Sequence, residues 1–129
     1  MTPRFRFRRL PDGTIGWMLL GGNNRLIGMA ATGSPTPAKA VSGAERAREV
    51  VATADITFMV ADDRLWYWRI HDAGVLIAVS ASGFARRLDA LRAAKRFIRA
   101  ATTAHVQLGV VTVPDRVRER PGPSRTGTR

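Results

Sequence analysis

The residues able to do chemistry are few and scattered. Two histidines, His71 and His105, and two adjacent carboxylates, Asp62 and Asp63, are the first candidates. Neither histidine has a carboxylate or cysteine at ligand spacing, and a metal ion needs several converging donors. His71 reads as an outward strand residue and His105 as a helix-end residue. Strand sequence flanks Asp62 and Asp63, which puts them at a hairpin tip. There water keeps a carboxylate at its ordinary pKa, poorly suited to acid–base work. Gly21-Gly22 precedes a strand rather than a helix, so it lacks the geometry of a phosphate loop. Ser80 and Ser82 have no adjacent base to activate them. The chain has no cysteine, which removes disulfides and thiolate metal sites. The expectation is a protein that is not an enzyme and holds neither cofactor nor metal.

Charge is the stronger signal. Lys and Arg number 21 against 10 Asp and Glu, a formal charge of +11, and the pI is near 11.8. Such a balance attracts polyanions. All but two of the basic residues are Arg, a skew that a GC-rich genome also produces. They gather in three places: Arg4, Arg6, Arg8 and Arg9 near the start, six basic residues against Asp89 over 86–99, and five arginines in the tail 114–129.

Alternation of apolar and polar residues predicts the elements that hold these groups. Phe5 and Phe7 alternate with Arg4, Arg6 and Arg8 as in a half-buried strand. Pro11-Asp12-Gly13 turns the chain into a second strand through Ile15, Trp17 and Leu19. A third runs from Arg25 to Ala31. Thr36 and Pro37 suit a helix cap and first helical position, with Ala38, Val41, Ala44, Val50 and Val51 on the apolar face. The pattern then restarts. Ile56, Phe58 and Val60, then Trp66, Trp68 and Ile70, then residues 75–81 give three more strands. A helix over 86–103 carries Leu88, Leu91, Ala94, Phe97, Ile98 and Ala101 inward. Arg92, Arg96 and Arg99 form its outer stripe.

The halves superpose in sequence. Phe7 matches Phe58 and Trp17 matches Trp68; after one lost residue Ile27 matches Ile77, Gly33 matches Gly83 and Val41 matches Leu91. This reads as a tandem duplication. The expected fold is α+β: two βββα repeats, 4–53 and 55–104, in one domain over 1–104, with an antiparallel sheet and both helices on one face. Residues 105–113 are a candidate extra strand, and 105–129 as a whole a largely disordered basic extension.

The stretches WYWRIHDAGVLIAVSASGF, LDALRAAKRFI and GWMLLGGNNRLIGMA resemble the repeat of the YegP-like family, small bacterial and archaeal proteins of unknown function. The resemblance covers 4 to about 104 and implies the tandem β₃α fold, with no catalytic residues to carry over. The family's Tyr after the third strand is here Phe84, or Ser34 in the first half. Its turn Asn survives as Asn23 but is Ala73, followed by Gly74, in the second half.

The tryptophans share one sheet face and are expected under the helices. The other face carries Arg4, Arg6, Arg8, Leu65, Tyr67, Arg69 and His71. Aromatic and cationic groups on an open sheet can stack bases and hold phosphates. The expected polyanion surface is therefore Arg6, Arg8, Tyr67, Arg69 and His71 with Arg92, Arg96 and Arg99. The reading is a small cytoplasmic binding or interaction module with no membrane partner, a homodimer among its expected assemblies. The alternative is a nucleic-acid-associated protein.

Overall fold

The computed structural model describes residues 2–112, so the basic tail expected to be disordered lies outside the described residues. Seven strands and two helices follow the order β1(Arg4–Arg9), β2(Ile15–Leu20), β3(Leu26–Ala30), α1(Pro37–Val50), a 3-10 turn Val51–Thr53, β4(Asp55–Val60), β5(Trp66–Asp72), β6(Val75–Ser80), α2(Arg87–Thr103) and β7(His105–Thr112). They form one seven-stranded sheet in the order β4-β5-β6-β3-β2-β1-β7.

Turn chemistry sets the hairpins. In the β1–β2 turn Asp12 Oδ1 accepts from the Thr14 backbone N–H at 2.9 Å. In the β4–β5 turn Asp63 Oδ1 accepts from the Leu65 N–H at the same 2.9 Å. Both are side-chain-closed turns of the kind Asp favours. The next residue has positive φ in each, 89° at Gly13 and 65° at Arg64.

The halves meet at β3 and β6, which pair antiparallel with Met29 opposite Val79, Gly28 opposite Ser80 and Ala30 opposite Ala78. Met29 and Val79 are fifty residues apart in sequence, so the pairing is symmetric about them.

One strand corrects the antiparallel expectation. β7 exists, as residues 105–113 suggested, but it runs parallel to β1, with Arg4 opposite His105. The sheet is mixed. α2 returns the chain to the end of the sheet where β1 begins, and the strand that follows runs alongside β1 rather than against it. Its register slips between Phe5 and Phe7, where Gly109 takes a φ of 105°. This is the local extra length of a bulge.

Both helices cover one face. Phe5, Phe7, Ile15, Trp17, Leu19, Trp68 and Ile70 point into a core roofed by Ala40, Ala44 and Ala47 of α1 and Ala90, Ala93, Ala94, Phe97 and Ala101 of α2. Thr36 caps α1, its Oγ1 accepting from the Lys39 N–H at 3.2 Å. The inner helix faces differ from the sequence expectation. Ala38 and Leu88 are exposed, and Val41, Leu91 and Ile98 lie at the flanks. Bulky aromatics on the strands fill the space, so the faces turned to them are mostly alanine, and longer aliphatics move aside. Phe97 is the exception. Its ring stands between Trp17 and Trp68, with centroids 6.3 Å and 4.7 Å away.

Candidate interaction surface on the open sheet face

The sheet alternation that buries Phe5 and Phe7 turns Arg4, Arg6 and Arg8 to the face the helices leave uncovered. Strand pairing extends this into a row. Arg6 lies opposite Met18, Met18 opposite Met29, Met29 opposite Val79, and Val79 opposite Arg69. Arginines therefore flank an apolar centre. None of these residues is fully buried.

The arginines are held against soft atoms. Arg8 Nη2 lies 3.6 Å from the Met29 sulfur, and Arg69 Nη1 lies 3.7 Å from the Met59 sulfur. Arg4 donates to Asn24 Oδ1. The Arg6 Nε is buried without a hydrogen-bond partner among the described residues. Such contacts restrict long side chains that would otherwise lose rotamer freedom on binding, which lowers the cost of engaging a partner.

Tyr67 and Asp63 form the polar corner of this face. The Tyr67 hydroxyl donates to Asp63 Oδ2 at 2.6 Å. That bond holds the Asp63 carboxyl below its usual range and raises the Tyr67 phenol above its own, with burial adding to the effect. The hairpin-tip carboxylate thus departs from the ordinary pKa expected of it, because its partner comes from the adjoining strand. His71 Nε2 is within 2.9 Å of Thr57 Oγ1. Among the described residues no three His, Cys, Asp or Glu side chains gather as metal ligands. Ser80 is buried on the helix side of the sheet, its Oγ without a partner among the described residues. No helix of the described residues is long and apolar enough to cross a membrane.

The expected surface is thus divided. Arg6, Arg8, Tyr67, Arg69 and His71 share the open sheet face. Arg92, Arg96 and Arg99 are exposed on α2, in the layer on the other side of the sheet. Arg92 approaches Asp89 at 3.9 Å, and Arg96 lines a cleft beside the β2–β3 turn. The reason is the one-sided packing: a helix turns its outer stripe away from the sheet it covers. Sequence reasoning also missed Met18, Met29 and Val79. The signal was available, since each alternates with an inward residue.

No protein-family model and no curated protein sequence matches the chain. Solved structures do. UPF0339 protein SO3888 from Shewanella oneidensis, determined by solution NMR, superposes with a TM-score of 0.69 at 15% identity, over 87% of this chain and 93% of that one. The protein of unknown function yegP from E. coli superposes with a TM-score of 0.63 at 14% identity, over 89% and 97%. At these identities the likeness is one of fold, and the fold of this chain is that of the YegP-like proteins.

Proposed function

We propose that this protein is a non-enzymatic binding module that docks an acidic partner on the open face of its sheet. The observation that carries the reading is the row Arg69, Val79, Met29, Met18, Arg6. Its apolar centre supplies contact area and its cationic ends select negative charge. The net charge of +11 draws such partners from a distance. A homodimer through this face would set arginine against arginine, so an acidic occupant fits better than a second copy. Light scattering after size exclusion tests the dimer separately, and a clean monomer at high concentration removes it.

Single-stranded nucleic acid is the second reading. It is favoured by Arg4, Arg6 and Arg8, which repeat along the open face of β1 and suit a backbone of regularly spaced phosphates. Only Tyr67 offers an aromatic ring here, and its hydroxyl is engaged by Asp63. Fluorescence anisotropy with a labelled oligothymidine, a DNA duplex, an RNA strand and an acidic polypeptide, at low and moderate salt, decides between them. Binding that weakens in Arg6→Ala and Arg69→Ala supports the face as the site. No binding to any of the four at low salt overturns both readings.

We also read the halves as copies of one unit. The symmetric β3–β6 pairing supports this, as do the matching Asp turns and the bridges Ile15–Ser34 and Trp66–Phe84.

A further inference from the structure

Beside the open face, a second feature points to a ligand of its own. Where α2 passes the β2–β3 turn, a cleft of about 310 Å³ is lined by Asn23, Arg25 and Ile27 from the first half and by Ser82, Phe84 and Arg96 from the second. Two arginines, an asparagine and a serine thus border a space lined also by Phe84 and Ile27. Among the described residues neither the Arg25 nor the Arg96 side chain has a hydrogen bond or ion pair.

At the counterpart place in the other half the protein supplies its own acid. Arg46 stands fifty residues before Arg96, the separation that aligns the helices. Its Nη2 donates to Asp72 Oδ2 at 3.0 Å, joining α1 to the end of β5. The residue aligned with Asp72 is Gly21, so the first half offers Arg96 no acid. Two further differences fall at the same place. Val75 is Arg25 in the first half, and Ser34 is Phe84 in the second. The cleft without an internal carboxylate thus has a second arginine, Arg25 of the first half, and a ring, Phe84 of the second.

We infer that this cleft is a binding site for a small organic carboxylate with a flat, apolar body, which takes beside Arg96 the place that the Asp72 carboxylate takes beside Arg46. Arginine pairs with planar carboxylates through two parallel N–H donors, and Arg25 supplies further charge. Phe84 and Ile27 receive the body. The volume lies at the small end of ligand pockets, which fits a ligand of roughly ten heavy atoms. The site lies on the helix side of the sheet and does not depend on the open face.

The test is a titration of the full ¹⁵N-labelled chain with benzoate, followed by amide chemical shifts. Benzamide serves as the neutral counterpart and inorganic phosphate as the tetrahedral anion. Benzoate should give saturable shifts centred on residues 23–27, 82–84 and 93–97, with a Kd of about 1 mM. Arg96→Ala should weaken it about tenfold or more. Asn23→Asp should do the same, since it keeps the Oδ1 acceptor for the Arg25 N–H while adding a negative charge to the wall. Both variants should retain the dispersed spectrum of the folded chain. The inference is overturned by the absence of saturable shifts with benzoate, by equal shifts from benzamide, or by shifts that survive Arg96→Ala. Tighter binding of phosphate than of benzoate overturns the assignment to a carboxylate.

Discussion

Truncating Phe97 should turn Gly28→Ala from a damaging substitution into a nearly harmless one. Gly28 sits in β3 directly beneath the Phe97 ring. A Cβ placed there would fall 2.5 Å from both Cδ1 and Cε1 of Phe97 and 2.8 Å from Cη2 of Trp68. Carbon atoms at rest are about 3.5–4.0 Å apart, so one of the rings must shift. Neither has room, because Phe97 and Trp68 are 0% and 1% exposed and pack against each other. Overpacking of this kind costs about 1–3 kcal/mol. Phe97→Ala alone removes a buried ring and its contacts with both tryptophans, a loss of about 3–5 kcal/mol. In the double variant most of the clash is gone and the new methyl fills part of the cavity. The combined cost should therefore fall short of the sum by about 1–2 kcal/mol. Urea denaturation followed by tryptophan fluorescence measures each corner of the cycle, with an unchanged m-value confirming that only stability moved. Phe97→Leu gives a milder corner should the alanine variant be too unstable. Costs that add to within about 0.5 kcal/mol would refute the reasoning, since they would mean that the ring does not occupy the space above Gly28.

Other outcomes follow from the same structure. Tyr67 is the single tyrosine of the chain, so tyrosinate absorbance reports it alone; its midpoint should lie above the ordinary 10.0 and return toward it in Asp63→Asn. The stability from this contact is full below 10.0 and lost as pH rises through the raised Tyr67 value. On the Asp63 side it is present above 3.8 and lost as pH falls through the lowered carboxyl value. A flat denaturation profile across both limbs would contradict the hydrogen bond. Thr36→Ala should destabilise the chain by about 1 kcal/mol in urea unfolding, because it leaves the Lys39 N–H without its acceptor. At the aligned start of α2 the cap is Arg86, which makes no capping bond. Arg86→Ser should stabilise by about 1 kcal/mol, since the exposed pair with Asp89 that it gives up contributes little. A loss of stability in that variant would show that the ion pair outweighs the cap.

Phe97 shows why the two halves differ where they do. The residue aligned with it in α1 is Ala47, and the one aligned with Gly28 is Ala78. The ring lies between Trp17 and Trp68, themselves an aligned pair, close to the symmetric β3–β6 pairing. Space on such an axis admits one ring, so the second half supplies Phe97 and the first half supplies the glycine beneath it. The cleft and the Arg46–Asp72 pair show a similar difference between the halves at the surface, where Arg46 has an internal acid partner.

Local chemistry determined the elements of this protein, and the sequence showed them. Alternating Phe5 and Phe7, the aspartate turns and the Thr36 cap all act within a few residues or within one hairpin. The order of strands in the sheet was not local. Nothing in HVQLGVVT states that β7 runs parallel to β1, because that depends on where α2 releases the chain. The inner helix faces were also decided by tertiary packing: tryptophan and phenylalanine on the strands fill the core, so alanine faces them and Leu88 is left outside. The sequence separated arginines on the open sheet face from those on the outer stripe of α2, but not which of them register or packing brings together. Arg6, Arg8 and Arg69 share a face through register across four strand pairings. Arg96 belongs instead to a cleft between the halves, and only the folded chain brings its walls together.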